Sequence, residues 1–138
     1  MSVFTEKEIA YLEEQRLGRL ATVDGEGRPH VVPVAFRYNP ELDSVDIGGH
    51  NIAASKKFRD TQKSGRAAFV VDDVLPPWRP RGIEVRGRAE VLSEGGKEIM
   101  EDFSKELIRI LPRRIVGWGI DSEDAFSTNS RSVGREGA

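Results

Sequence analysis

The segment RGIEVRGRAEVL, residues 81–92, constrains the fold more than any other part of the chain. Ile83, Val85, Ala89 and Val91 alternate with Glu84, Arg86, Arg88 and Glu90, the period of a strand with one buried and one wet face. Gly87, on the apolar face, leaves room for a large neighbour. A half-buried strand needs partners, and the chain supplies them. In LGRLATVDGEGRPHVVPVAFRYNPELDSVDIGG, two turn signals, Asp24-Gly25-Glu26-Gly27 and Asn39-Pro40-Glu41, separate three apolar runs. That pattern predicts a three-stranded antiparallel meander. RAAFVVDDV adds a strand, and LIRIL with RIVGWGI adds a closing strand pair.

Helices punctuate these strands. Thr5 with Glu8 three residues on is a capping box, and Phe4 is placed to staple onto Ile9, so a helix is expected over residues 6–15. A second fits 55–64, with Ser55 as N-cap and Gly65 as stop. A third is expected over 96–107, where Ile99, Met100, Phe103 and Leu107 recur at helical spacing. Between two strands, Pro76, Pro77 and Pro80 brace an extended loop around Trp78. Hairpin-linked strands with few short helices predict a mainly β (α+β) chain, a closed antiparallel barrel decorated by helices. Residues 1–120 read as a single barrel domain. Residues 121–138 form a polar tail with little to bury beyond Ala125, Phe126 and Val133, for which partial disorder is expected.

Composition narrows the chemistry. The absence of cysteine and the presence of two histidines exclude disulfides, thiolate nucleophiles and a histidine-rich metal site. A net charge of −2, with acids and bases interspersed, is not the footprint of a nucleic-acid binder. No apolar run approaches the ~20 residues of a membrane helix, and the N-terminus lacks a signal-peptide core, so a cytoplasmic protein is expected.

The segment GGHNIAASKKFRD, residues 48–60, carries the main functional signal. Cations at a helix start are unfavourable unless an anion is near, yet Lys56, Lys57 and Arg59 stand there. Two glycines allow close backbone approach to a ligand, and helix N–H groups with the Ser55 hydroxyl, Lys57 and Arg59 are the parts of a phosphate site. On spacing alone, solvated lysines on a surface helix fit equally well. His50 and Asn51 follow the glycines and could donate to a phosphate or to a ring edge. Pro33 in mid-strand has no N–H for a ladder, so its backbone faces a ligand or a bulge. Trp78 fits a lid or pocket floor, or a subunit interface. Tyr38, His50 and water are the candidate proton donors.

GRLATVDGEGRPHVVPVAFRYNPELDSVDIGG, KKFRDTQKSGRAAFVVDDV and PPWRPRGIEVRGRAEVL together resemble the pyridoxamine 5′-phosphate oxidase-like superfamily, from about Leu17 to Ile120. Within it the chain is most similar to the coenzyme F-420-dependent actinobacterial branch that includes reductases acting late in tetracycline biosynthesis. The resemblance implies an antiparallel split β-barrel of the FMN-binding type and a homodimer with cofactors between protomers. It implies that Lys57 and Arg59 match the phosphate-holding lysine and arginine, and Ser55 the small hydroxyl before them. Asp60 stands where asparagine is common. The strand HVVPVAFRY, with Pro33 and Val34, matches the one along which the ring lies. Trp118 matches a tryptophan packed at the subunit interface.

The implied activity is hydride transfer from reduced F-420 to an enone or quinone-like small molecule, with no assigned catalytic residue and no metal. The basic groups Lys56, Arg79 and Arg81 favour this long anionic cofactor over FMN. The alternatives are an FMN-binding oxidoreductase of the same fold and a non-catalytic cofactor-binding protein.

Overall fold

A computed structural model describes residues 1–121 and 127–134. Helix α1 spans Glu6–Glu14, β1 Leu17–Val23, β2 Pro29–Asn39 and β3 Ser44–Gly48. A short 3-10 turn, Ile52–Ala54, leads into α2, Lys56–Ser64. Then follow β4 Arg66–Leu75, β5 Arg79–Leu92, α3 Gly96–Ile99, β6 Leu107–Trp118 and β7 Thr128–Ser132. The strands pair antiparallel in the order β3-β2-β1-β4-β5-β6-β7, and β3 also pairs with β6, closing six of them into a barrel. Inward residues such as Leu20, Ile47, Phe69, Ile83, Val85 and Ile110 fill it and are essentially inaccessible.

The meander and the capping box form as expected. Thr5 accepts from the Glu8 N–H while the Glu8 carboxylate accepts from Thr5. Four expectations are corrected. The helix expected to reach Leu107 stops at Ile99: the Gly96 N–H bonds to the Lys105 carbonyl, folding residues 96–105 into a compact loop, and Leu107 opens β6. The expected final strand pair is one continuous strand through Pro112, made possible by a bulge between Arg86 and Gly87 on its neighbour β5. Gly87 there admits backbone rather than a large side chain, because a Cβ on it would lie 2.1 Å from the Leu111 carbonyl oxygen. The proline loop is a tight turn, Pro76–Trp78, between paired β4 and β5.

Within the tail, residues 128–132 form β7 against Arg114–Trp118, and its Arg131 guanidinium donates to both oxygens of Glu8, which is wholly buried. Ala125 and Phe126 lie outside the described residues.

The seam between β3 and β6 is held by side chains as well as backbone. Asp46 and Arg109 face each other in register, with two bonds of 2.9 and 3.0 Å between guanidinium and carboxylate. Ser44 and Asn39 each donate a further bond to Asp46, at 2.9 and 3.0 Å. Breaking a buried pair by removing one partner costs about 3–5 kcal/mol, because the remaining charge is left uncompensated. Arg109→Met is therefore expected to lower the unfolding free energy, read from urea titration, by an amount in that range, whereas the Asp46→Leu/Arg109→Met double variant recovers most of it.

Candidate functional site

Three elements converge where β3 ends. Ala35 and Gly48 are the last β2–β3 pair, so Pro29–Val34 of β2 pair with β1 alone and present a backbone edge with no strand on it among the described residues. Pro33 lies in that stretch, where a residue without an N–H breaks no β2–β3 ladder. It is exposed, while the Val34 side chain points into the core, leaving only its backbone for a ligand.

After Gly48 the chain turns through Gly49, His50 and Asn51 into the 3-10 turn and α2. Asn51 adopts the left-handed conformation (φ 52°), and His50 and Asn51 are both exposed. A Cβ on Gly48 would lie 2.8 Å from the Phe103 ring, so only glycine lets the loop after α3 pack this closely. Phe103 also meets the His50 ring edge-on, 5.2 Å between centroids.

At the start of α2 the cations divide into two kinds. Lys56 is engaged, at 3.3 Å from Asp60 and 3.6 Å from Asp24. Asp60 itself is buried and accepts from Thr22 on β1, so it ties the helix to the barrel instead of meeting a ligand. Lys57 differs. Its ammonium is half-buried, has no hydrogen-bond or ion-pair partner among the described residues, and burial alone holds its pKa below the ordinary lysine value. Arg59, two positions on, is exposed, and its guanidinium donates to the Ala54 carbonyl at 2.8 Å. The Ser55 hydroxyl is fully used as N-cap, accepting from Phe58 N–H and donating to the Ile52 carbonyl at 2.6 Å. The first amides of α2, those of Lys56 and Lys57, have no preceding turn to satisfy them. N–H groups at a helix start, a half-buried cation with no partner among the described residues and a guanidinium thus stand together, the parts an anion cradle needs.

The remaining expected residues lie elsewhere. Trp78 is 67% exposed at the tip of the β4–β5 hairpin, ten residues of strand from the end where α2 joins β4. Arg81 is committed to Asp73, to Glu14 and to the face of Tyr11. The Tyr38 hydroxyl donates to Asp43 at 2.7 Å beside the N-terminal Ser2, which removes it as a proton donor. A groove of about 530 Å³, lined by Ala21, Val23, Ala68 and Arg66 among others, includes none of the expected cofactor-binding residues. Sequence reasoning missed Phe103 and Ser104, which it assigned to a helix; the Gly95-Gly96 pair was the available sign of a turn. Among the described residues no three acidic or histidine side chains gather as a metal site, and no helix is long and apolar enough to cross a membrane.

Residues 4–123 match the family model for pyridoxamine 5′-phosphate oxidase, so the chain belongs to that family. It is 44% identical over 135 residues to a protein of Streptomyces rimosus subsp. rimosus named 5a,11a-dehydrotetracycline/5a,11a-dehydrooxytetracycline reductase, covering 96% of this chain and 95% of that one. Among solved structures it resembles a conserved hypothetical protein of Mycobacterium tuberculosis (TM-score 0.69, 22% identity, 99% of this chain and 96% of that one). It also resembles an FAD-binding protein of Mycobacterium smegmatis (TM-score 0.62, 19% identity, 85% and 96%). Both share the split-barrel fold.

If the cradle holds a phosphate, Lys57→Met removes a charge-assisted bond worth about 1.5–3 kcal/mol. Affinity for a phosphate-bearing flavin is then expected to fall roughly 10- to 100-fold, while the melting temperature of the free protein stays level or rises, since an unpaired cation has left a half-buried position. The pH dependence follows from the direction of the Lys57 shift. The cation binds the phosphate, so affinity is greatest while Lys57 is protonated and falls as pH rises through its lowered pKa, earlier than an ordinary lysine would allow.

Proposed function

We propose that this chain is a coenzyme F-420-dependent reductase that delivers a hydride to an enone or quinone-like ring of a small polycyclic molecule. The observation that carries the cofactor half is the half-buried Lys57 at the start of α2, without a partner among the described residues. A cation desolvated without a counter-charge is a standing cost, and a phosphate removes it. The substrate half rests on the relative named as a dehydrotetracycline reductase, which supports an oxidoreductase acting on polycyclic enones.

When bound, the reduced deazaflavin would supply the hydride. The chain's part is to hold and orient. Lys57, Arg59 and the first amides of α2 grip the phosphate. The open β2 edge at Pro33 and Val34 offers backbone groups to a ring lying along it. His50 and Asn51 project from the turn between these two and are free to donate to phosphate or ring. His50 or water supplies the proton.

In a homodimer a second copy would bring Trp78 to the site as a cover, which accounts for an exposed tryptophan on a tip that also carries exposed Val74 and Leu75. The protein would act in the cytoplasm.

The phosphate grip suits FMN equally, and of the basic groups that favoured the longer anionic cofactor, Lys56 and Arg81 are held in ion pairs. Cofactor choice is therefore decided by titration. Fluorescence titrations with F-420 and with FMN are expected to give micromolar binding of F-420, weaker binding of FMN, and loss of both in Lys57→Ala/Arg59→Ala. Preference for FMN moves the protein to flavin chemistry. Tight binding of reduced cofactor without its oxidation by any member of an enone and quinone panel makes it a carrier rather than an enzyme.

A further inference from the structure

The turn that leads into the phosphate cradle is bracketed from outside by one side chain. Ser104, in the loop after α3, donates its hydroxyl to the Gly49 carbonyl at 2.9 Å and accepts the Ile52 N–H at 3.2 Å. Its own N–H donates to the same Gly49 carbonyl at 3.1 Å. Gly49 and Ile52 flank His50 and Asn51, so three hydrogen bonds to one residue pin both ends of the two-residue tip. Both tip residues are exposed, one is left-handed, and a glycine precedes them; the other holds on the tip are the Ala54 N–H on the Asn51 carbonyl at 3.1 Å and the edge of Phe103 against His50.

The bracketing loop is itself rigid. Gly96 N–H bonds to the Lys105 carbonyl at 2.8 Å, Lys97 Nζ donates to the Phe103 carbonyl at 3.0 Å, and Phe103 is buried against Gly48 and the His50 ring. A serine used twice on opposite ends of an exposed tip does more than the loop needs for its own closure.

We propose that Ser104 is a positioning residue of the phosphate site. It holds the Gly49–Ile52 turn in the shape that presents His50, Asn51 and the start of α2 to the phosphate of a phosphoryl-bearing flavin or deazaflavin. This rests on the phosphate reading of the cradle. A turn fixed in advance loses no conformational freedom when the ligand arrives, and its loosening is felt only by ligands that use it.

The test compares phosphorylated and phosphate-free members of a pair, FMN with riboflavin and F-420 with its phosphate-free chromophore, on wild type, Ser104→Ala, Ser104→Thr and Phe103→Leu. Ser104→Ala is expected to weaken the phosphorylated member about five- to tenfold with the phosphate-free member unchanged. Ser104→Thr, which keeps the hydroxyl, recovers most of that loss. Phe103→Leu, which loosens the same turn through packing, gives the same selective loss and serves if Ser104→Ala does not fold. Equal weakening of both members, or an unchanged ratio in either variant, overturns the positioning role while leaving the phosphate site standing. A wild-type protein that does not prefer the phosphorylated member of either pair overturns the phosphate reading, and this inference with it.

Discussion

The seam between β3 and β6 is where this barrel is made or lost, and the Asp46–Arg109 pair sits at its centre. Asp46 is 2% exposed, and such a charge is tolerated only when its lone pairs are filled, as here by Arg109, Ser44 and Asn39. Closing the barrel at β3 also fixes where β3 ends. Past Gly48 the chain leaves the sheet, the edge of β2 opens, and α2 begins beside it. The β3–β6 ladder, with this ion pair at its centre, thus sets the relative placement of the backbone edge, the turn and the helix start.

The treatment of charge across the molecule separates scaffold from site. Every buried carboxylate among the described residues has a cation: Glu8 has Arg131, Asp46 has Arg109, and Asp60 has Lys56. The first two join elements distant in sequence, the tail to α1 and β6 to β3; the third lies within α2, which Asp60 ties to β1 through Thr22 and Lys56 to the turn through Asp24. Lys57, one residue from Lys56 on the same helix, is different: burial lowers its pKa, and no described residue pairs with it. Where each fully buried carboxylate is paired, a cation that burial destabilises and nothing pairs marks a candidate ligand site.

Much of this was legible in sequence because it is local. The alternation of residues 83–91, the turn signals at 24–27 and 39–41, and the Thr5–Glu8 box each act within a few residues, and each forms as expected. Ser55 and Gly65 delimited α2 for the same reason. What failed was non-local. Phe103 has helical spacing from Ile99, but its burial is against Gly48, far away in sequence, and that contact defeats the helix. Residues 128–132 are polar and exposed, so no hydrophobic pattern announces β7; it forms because β6 offers an edge and Glu8 needs Arg131. At the site, the sequence placed Lys57 and Arg59 at a helix start but could not tell engaged from free, so Lys56, Arg81 and the Ser55 hydroxyl looked available when other residues hold them.

The central claim is that Lys57 awaits an anion. Its ammonium titration, followed by NMR on protein with labelled lysine side chains, tests this directly, without and then with saturating phosphorylated cofactor. The account predicts a pKa below the ordinary lysine value in the free protein and a rise on binding, as the phosphate offsets the desolvation of the cation. A Lys57 that titrates as an ordinary surface lysine in both states would contradict it, and would return the basic start of α2 to a solvated helix face.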